Sequence, residues 1–299
     1  MVRALWGRIA DRAAPSGDDC AFVDVGEARL AISGDLSIEG THFRLGWLAL
    51  HEIGWRAAAA SLSDLAAVAA TPVGIMVGIG ISPEWPSDSA AEVMEGAAAA
   101  AAAVDAVVLG GDIVRSENLV LDVTAIGRLA SDPVERRGAR VGDALYVTGR
   151  LGGPAAALAA WEAGREPESS ARERFAHPEP RIAQATWLRD QGVHAMVDLS
   201  DGLLADAQHL AAASSVRCAL DLAAVPLHPA AESPERALAG GEEYELLVAA
   251  PEGEAMPEAF GAAFDLPLTR VGRVEEGLGV EVRRDGAITH VISPFRQFG

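Results

Sequence analysis

Short apolar runs alternate along this chain with longer stretches whose apolar residues recur every three or four positions. Ala21 to Val25 and Ala28 to Ser33 flank the turn Gly26-Glu27, which predicts a β-hairpin. Leu48 to Ala70 has helical periodicity, with Ile53, Ala57, Ala60 and Leu62 to Val68 on its buried side, and Thr71-Pro72 ends it. The β-branched, glycine-containing run Val73 to Ile81 predicts a strand. Pro86-Ser87-Asp88 then opens a helix through an alanine block, with Ser87 or Asp88 as its cap. Val104 to Leu109 and Leu119 to Leu129 complete this first set as strands.

The polar, turn-rich stretch Ala130 to Asp143 divides the chain, giving units 1–136 and 137–299. The second unit opens with a strand, Ala144 to Thr148, the turn Gly149-Arg150-Leu151-Gly152-Gly153, and an alanine-rich helix to about Glu162. Gly164 to Ser170 reads as a surface loop and Pro178 to Gln191 as a helix with Pro180 in its first turn. His194 to Leu199 is a strand feeding Ser200-Asp201-Gly202 and the helix Leu203 to Ala213. Cys218 to Leu222, Leu246 to Ala249, Leu268 to Val274 and Val280 to Arg283 are further strands.

Half of the 299 residues are apolar and 22% are charged, as in a globular protein with a sizeable core. A formal charge of −19 argues against nucleic acid and against anionic membrane surfaces as partners. Genomic bias toward an acidic, alanine- and arginine-rich composition accounts for bulk charge as well as function does, but not for where the acids fall. Lysine is absent and all 24 basic residues are arginine, which closes the Walker-type route to phosphoryl chemistry. Cys20 and Cys218 lie far apart without metal-ligand spacing, which suits thiols in a reducing cytoplasm better than a disulfide. Met1 to Ala14 lacks an apolar signal core, and Gly96 to Val104 is too short to span a bilayer, so the expectation is a soluble cytoplasmic protein.

The acids recur beside small turn residues at the ends of apolar runs: Asp18-Asp19, Asp35, Asp64, Asp112, and Asp198 with Asp201. Carboxylates so placed suit hard cations such as Mg²⁺, which bind oxygen and bridge to phosphates. Each segment also has a plainer reading. Asp18-Asp19 fits a solvated turn, Asp64 a carboxylate satisfied by helix-end amides, and Gly110-Gly111-Asp112 an ordinary turn closing a strand. Strand alternation puts Asp198 and Ser200 on one side, while Ser200 or Asp201 suits the cap of the next helix. Gly240-Gly241-Glu242-Glu243-Tyr244-Glu245 is either a solvated charged edge or a ligand-facing loop. His42 is the one histidine beside an acid-rich turn, and Cys20 reads as a small core residue.

In order and content these segments strongly resemble thiamine-monophosphate kinases. The segments are Gly-Asp-Asp-Cys-Ala (17–21), Ser-Gly-Asp-Leu-Ser-Ile-Glu-Gly-Thr-His-Phe (33–43), Leu-Ser-Asp-Leu-Ala-Ala-Val (62–68), Gly-Gly-Asp (110–112) and Arg-Arg-Gly-Ala-Arg-Val-Gly-Asp (136–143). Tyr-Val-Thr-Gly (146–149), Asp-Leu-Ser-Asp-Gly-Leu (198–203) and Gly-Gly-Glu-Glu-Tyr-Glu-Leu (240–246) continue the match. The superfamily includes aminoimidazole ribonucleotide synthetase. The resemblance implies an α/β (α+β) fold of two domains, each with a mixed sheet flanked by helices, and a homodimer formed through the N-terminal half. It implies transfer of the γ-phosphate of ATP to thiamine monophosphate, with Mg²⁺ as cofactor. By position, Asp19, Ser33, Gly34, Asp35, Asp64, Asp112, Asp198 and Asp201 match metal-site residues, with Asp35, Asp64, Asp112 and Asp201 closest to the chemistry. Gly111, Asp112, Arg136 and Ser200 match ATP contacts, and His42, Glu242 and Phe295 match contacts to thiamine monophosphate.

Four positions depart from the family pattern: Gly34 and Ile113 where threonine is usual, Ser61 where asparagine is usual, and Glu243 where aspartate is usual. Selenophosphate synthetase needs a lysine this chain lacks, and the hydrogenase-maturation relative ends in a cysteine where this chain ends in Phe298-Gly299. The purine enzyme lacks the pattern around Glu242. The remaining competitor is a non-catalytic or altered-substrate relative of the same superfamily.

Overall fold

In the computed structural model, which describes residues 17–253 and 255–289, the first hairpin forms as its pattern predicts. Strand β1 (Ala21–Val25) pairs with β2 (Ala28–Ile38), but β2 does not stop at Ser33. It continues through Gly34 and Asp35 because β5 (Val120–Leu129) offers an antiparallel partner along its whole length, with Asp35 opposite Val123. Asp35 therefore lies inside a strand. Helix α1 (Leu50–Ala67) ends at a turn where Ala69 takes φ +54°, and β3 (Thr71–Ile81) begins at once. Pro72 is accommodated where the register against β5 shifts, since proline cannot donate to the ladder.

Helix α2 (Ser89–Ala102) has no side-chain cap. Asp88 is already helical in its backbone, and Ser87 spends its hydroxyl on the Asp88 carboxylate at 3.1 Å, so neither predicted cap forms. Strand β4 (Val107–Arg115) starts later than expected and runs straight through Gly110-Gly111-Asp112. Parallel pairing with β3 holds these residues in the sheet, and a bulge opposite Met76 absorbs the irregularity. The five strands stand in the order β1-β2-β5-β3-β4.

The second sheet is built from β6 (Ala144–Thr148), β7 (Ala195–Asp198), β8 (Arg217–Asp221), β9 (Leu246–Ala250), β10 (Leu268–Glu275), β11 (Gly279–Arg284) and β12 (Ala287–Thr289). Its order is β12-β11-β8-β10-β6-β9-β7, antiparallel except between β8 and β11. The helices are α3 (Gly153–Glu162), α4 (Ser169–Ala176), α5 (Ile182–Asp190), α6 (Leu203–Ser214), α7 (Pro234–Ala239) and α8 (Ala255–Phe264). Helices α4, α7 and α8 are additions to the sequence reading. Helix α5 begins two residues after Pro180 rather than around it.

One core lies between the first sheet and α1 and α2, and reaches Trp161 and Phe175 of the second half. A second fills the space between the second sheet and α6. A third covers the sheet's other side with α5 and α8, and takes in Ala66 and Ala69 from the end of α1. Helix α1 thus packs in both halves.

Helices α1 and α2 cross at two glycines. A β-carbon at Gly54 would overlap the Val93 carbonyl, and one at Gly96 would overlap the His51 carbonyl. Gly96→Ala should therefore cost about 1–3 kcal/mol, as overpacking a filled contact does. The measurement is the urea midpoint, expected to fall at unchanged slope. An unaltered midpoint would mean that the two helices separate without cost.

Candidate active site

Four aspartates reach one place from four elements. Asp19 comes from the turn before β1, Asp35 from the middle of β2, Asp64 from the last turn of α1, and Asp198 from the end of β7. Oxygens of Asp19, Asp64 and Asp198 lie within 4.8 Å of one another. Hydroxyl groups bind the set together. Ser33 donates to Asp64, Ser63 donates to Asp198 at 2.7 Å, and the Ser61 hydroxyl lies 3.1 Å from Asp35 and 2.8 Å from the Val123 carbonyl. Ser61 and Asp64 are three residues apart on a helix, so they share a face.

Arg136 is the cation of the cluster. Its Nε lies 3.0 Å from Asp19, its Nη2 donates to the other oxygen of the same carboxylate, and its amide donates to Asp18 at 3.1 Å. One guanidinium does not neutralise the set. Burial, then the charge of Asp19, pushes Asp198 up to about 8. Burial, then Asp198, Asp35 and Asp19, carries Asp64 well above the usual carboxylate range. Burial raises Asp35 and Asp19 as well, the latter despite Arg136, and Asp18 rises to about 6 through burial and Asp19. Buried oxygen donors that repel one another at ligating distance fit a hard divalent cation.

The other predicted residues divide. Asp201 stands beside this group, at the entrance to α6, with Asp206 and His209 within 4.8 Å. Neither Ser200 nor Asp201 caps α6. Gly202, at φ +106°, occupies the cap without a side-chain bond, and the Asp201 amide donates to Asp206 at 3.1 Å. The Ser200 carbonyl accepts the Glu242 amide at 2.7 Å, which seats the Gly-Gly-Glu-Glu loop on this turn.

That loop is no solvated edge: Glu243 and Glu245 are fully buried. Arg174 and Arg181 neutralise Glu245 at 2.9 and 2.5 Å, whereas burial pushes Glu243 up to about 8 and leaves one of its oxygens without a partner. Glu242 is held by Arg56 and by the Tyr244 hydroxyl at 2.8 Å, and its charge raises Asp35. His42 accepts the Ile38 amide at 3.0 Å through Nδ1, and it too acts on Asp35.

Asp112 does not join the cluster. It is exposed on the edge strand β4, and its carboxylate accepts the amide of Ile113, its own neighbour. The strand pairing that absorbs Gly110 and Gly111 is what keeps it there. Gly111 has to be glycine, because a β-carbon would overlap the Val77 carbonyl. Gly34 does not, since the nearest atom to a β-carbon there is the Thr124 hydroxyl at 3.8 Å. Phe295 lies outside the described residues.

Sequence reasoning passed over Arg56, Ser63 and Asp206. Arg56 and Ser63 had a visible signal, being polar positions on the apolar side of a helix. Asp206 had none, because its burial depends on how α6 docks.

Two sheets joined across an acidic seam define the class. Residues 17–129 match the family described as AIR synthase related protein, N-terminal domain, and residues 140–285 match the corresponding C-terminal domain. A thiamine-monophosphate kinase of Mycobacterium tuberculosis is 34% identical over 262 residues, spanning 87% of this chain and 79% of the relative. The solved thiamine-monophosphate kinase from Stenotrophomonas maltophilia K279a superposes with a TM-score of 0.81 at 33% identity, covering 96% of each chain. A structure described as AaThiL complexed with AMPPCP and TMP gives a TM-score of 0.85 at 29% identity, over 96% of this chain and 92% of that one. This chain belongs to the thiamine-monophosphate kinase family within the AIR synthase-related proteins.

Burial, then the charge of Asp19, raises Asp198 from the ordinary carboxylate value of 3.8 to about 8 in the folded protein. Between those values the folded state keeps a proton that the unfolded state has released, so stability falls as pH rises. Without divalent cations the urea midpoint should drop from pH 5 to pH 8, and Asp198→Asn should flatten the slope. Mg²⁺ should raise the midpoint more at pH 8 than at pH 5. A slope unchanged in the variant would place the titrating group elsewhere.

Proposed function

We propose that this protein transfers the γ-phosphate of ATP to thiamine monophosphate, giving thiamine diphosphate and ADP. The observation that carries the reading is the set of buried carboxylates around a single arginine, in a chain of the thiamine-monophosphate kinase family. The relative that superposes with a TM-score of 0.85 is described as bound to AMPPCP and TMP, which supports the same pair of ligands here. A phosphate oxygen of thiamine monophosphate forms the new bond to the γ-phosphorus, while the bond from that phosphorus to the β,γ-bridging oxygen breaks. The acceptor is itself an anion, so the protein needs neither a nucleophilic side chain nor a lysine.

Mg²⁺ would be held by Asp19, Asp35, Asp64 and Asp198 with the Ser33-Gly34 segment, and would supply the positive charge that brings two phosphorylated substrates together. Asp201 flanks this group. Arg136 is placed to meet ATP phosphates beside Asp19, with Gly111 and Ser200 lining the nucleotide. His42 and Glu242, both felt at Asp35, would take the thiamine side together with Phe295. The location we assign is cytoplasmic, and among the described residues no helix is long and apolar enough to cross a membrane.

The five-stranded sheet favours a homodimer. It leaves Leu36, Met76, Leu109 and Val114 from 47% to 56% exposed, while its other side packs on α1 and α2. Apolar area of this kind marks an association surface. Sedimentation should give a dimer, and Met76→Arg should shift it toward monomer. A wild-type monomer at micromolar concentration would refute this arrangement.

The activity test is direct: purified protein with ATP, Mg²⁺ and thiamine monophosphate, and thiamine diphosphate quantified. Absence of product would leave an altered-substrate relative. Asp64→Asn should lower kcat on the order of a hundredfold, as loss of an electrostatic stabiliser does. The same variant should keep or raise the metal-free urea midpoint, because it removes a like charge from a repulsive cluster. Wild-type turnover in Asp64→Asn would make Asp64 structural.

A further inference from the structure

The loop bearing Glu242 has a fixed backbone. Glu242 and Tyr244 both take positive φ, at +67° and +51°. Non-glycine residues persist there only where their surroundings hold them. Here the hold is visible. The Glu242 amide donates to the Ser200 carbonyl at 2.7 Å, and the amides of Glu243 and Tyr244 donate to the Leu199 carbonyl at 3.1 and 2.9 Å.

The carboxylate of Glu242 is fixed on one side only. Oε2 accepts from Arg56 Nη2 and from the Tyr244 hydroxyl at 2.8 Å, and the side chain is 25% exposed. Among the described residues Oε1 has no such donor, which leaves it as the acceptor offered outward.

Arg56 itself has no freedom. It is 4% exposed on the buried face of α1, its Nη1 donates to the Phe175 carbonyl at 2.5 Å, and its guanidinium lies 3.8 Å over the Phe175 ring. A guanidinium anchored to a carbonyl and an aromatic face presents its remaining donor in one direction. Tyr244 shares the loop with Glu242, so among the described residues only Arg56 fixes the carboxylate relative to the first half of the chain, where Asp35 and His42 reside.

We infer that Arg56 is a positioning residue for thiamine monophosphate: it locks Oε2 of Glu242 so that Oε1 meets a hydrogen-bond donor of the substrate, such as its exocyclic amine. This rests on the assignment of Glu242 to the thiamine side made above. It adds a residue that does not touch substrate itself.

The test measures KM for thiamine monophosphate, KM for ATP and kcat in wild type, Arg56→Met, Arg56→Lys, Glu242→Gln and the double variant Arg56→Met/Glu242→Gln. Arg56→Met should raise KM for thiamine monophosphate about ten- to a hundredfold, the loss expected for a misplaced charged hydrogen-bond partner. KM for ATP should stay within about twofold, because the ATP contacts assigned above do not include Glu242. Arg56→Lys should recover part of the loss, since an ammonium reaches Glu242 but cannot also hold Phe175. In the Glu242→Gln background, Arg56→Met should add little, because the group it positions is gone. Additive losses in the double variant, or equal rises in both KM values, would make Arg56 a purely structural residue and overturn the inference. Wild-type protein that forms no thiamine diphosphate would instead overturn the functional reading, and this role with it.

Discussion

Repulsion among buried carboxylates is the constraint around which this molecule is arranged. Three of them bring oxygens within 4.8 Å of each other. At an effective dielectric constant of 20, two unit charges at that distance repel by roughly 3–4 kcal/mol. Three such pairs would oppose folding by about as much as a whole domain is normally stable. The carboxylates therefore cannot all be ionised in the metal-free state, and the upward shift of Asp198 and Asp64 expresses that. Arg136 relieves only Asp19 directly, and the hydroxyls of Ser33, Ser61 and Ser63 orient the acids without changing the total charge. What remains is a strong preference for a small, highly charged cation.

Helix α1 makes the arrangement possible. Its apolar side fills the core under the first sheet, while its last turns carry Ser61, Ser63 and Asp64 to the seam between the sheets. Ala66 and Ala69 then pack into the second half, and Arg56 crosses to the Glu242 loop. The glycine crossing packs α1 closely on α2, and the Ser61 hydroxyl ties α1 to the sheet beside Asp35, which acts on Asp64. One helix thus sets the distances among groups that four separate elements contribute.

Much of this was legible in the sequence, and the parts that were not share a cause. Strand β6 matches its pattern to the residue, because a five-residue apolar run with turn residues on both sides has few alternatives. The acids at 19, 35, 64 and 198 announced themselves by position. Their convergence did not, because it depends on β7 pairing with β9 and on α1 crossing to the second half. Gly110-Gly111-Asp112 reads locally as a turn, yet an available neighbour strand kept it in the sheet and left Asp112 exposed at the edge. Glu243 and Glu245 read as surface charges because Arg174 and Arg181, which make Glu245 tolerable in the interior, are more than sixty residues away. Caps failed for a smaller reason: Ser87, Asp88 and Asp201 each had another geometry or partner nearby.

The bond between Ser63 and Asp198 joins residues 135 positions apart. On a ribosome adding about 5–20 residues per second, roughly 7 to 27 seconds separate the appearance of the two. From the completion of β5 until β7 is made, the first half has every strand of its own sheet, yet the end of α1 lacks the packing that the second half provides. Ala66 and Ala69 face water, and Asp64 is solvated and free to ionise. The nascent first half is therefore an incomplete folding unit with an open apolar flank and an open acidic one. Closure by the second half buries both at once, so the electrostatic cost of the site falls late in synthesis, when the rest of the core is there to bear it.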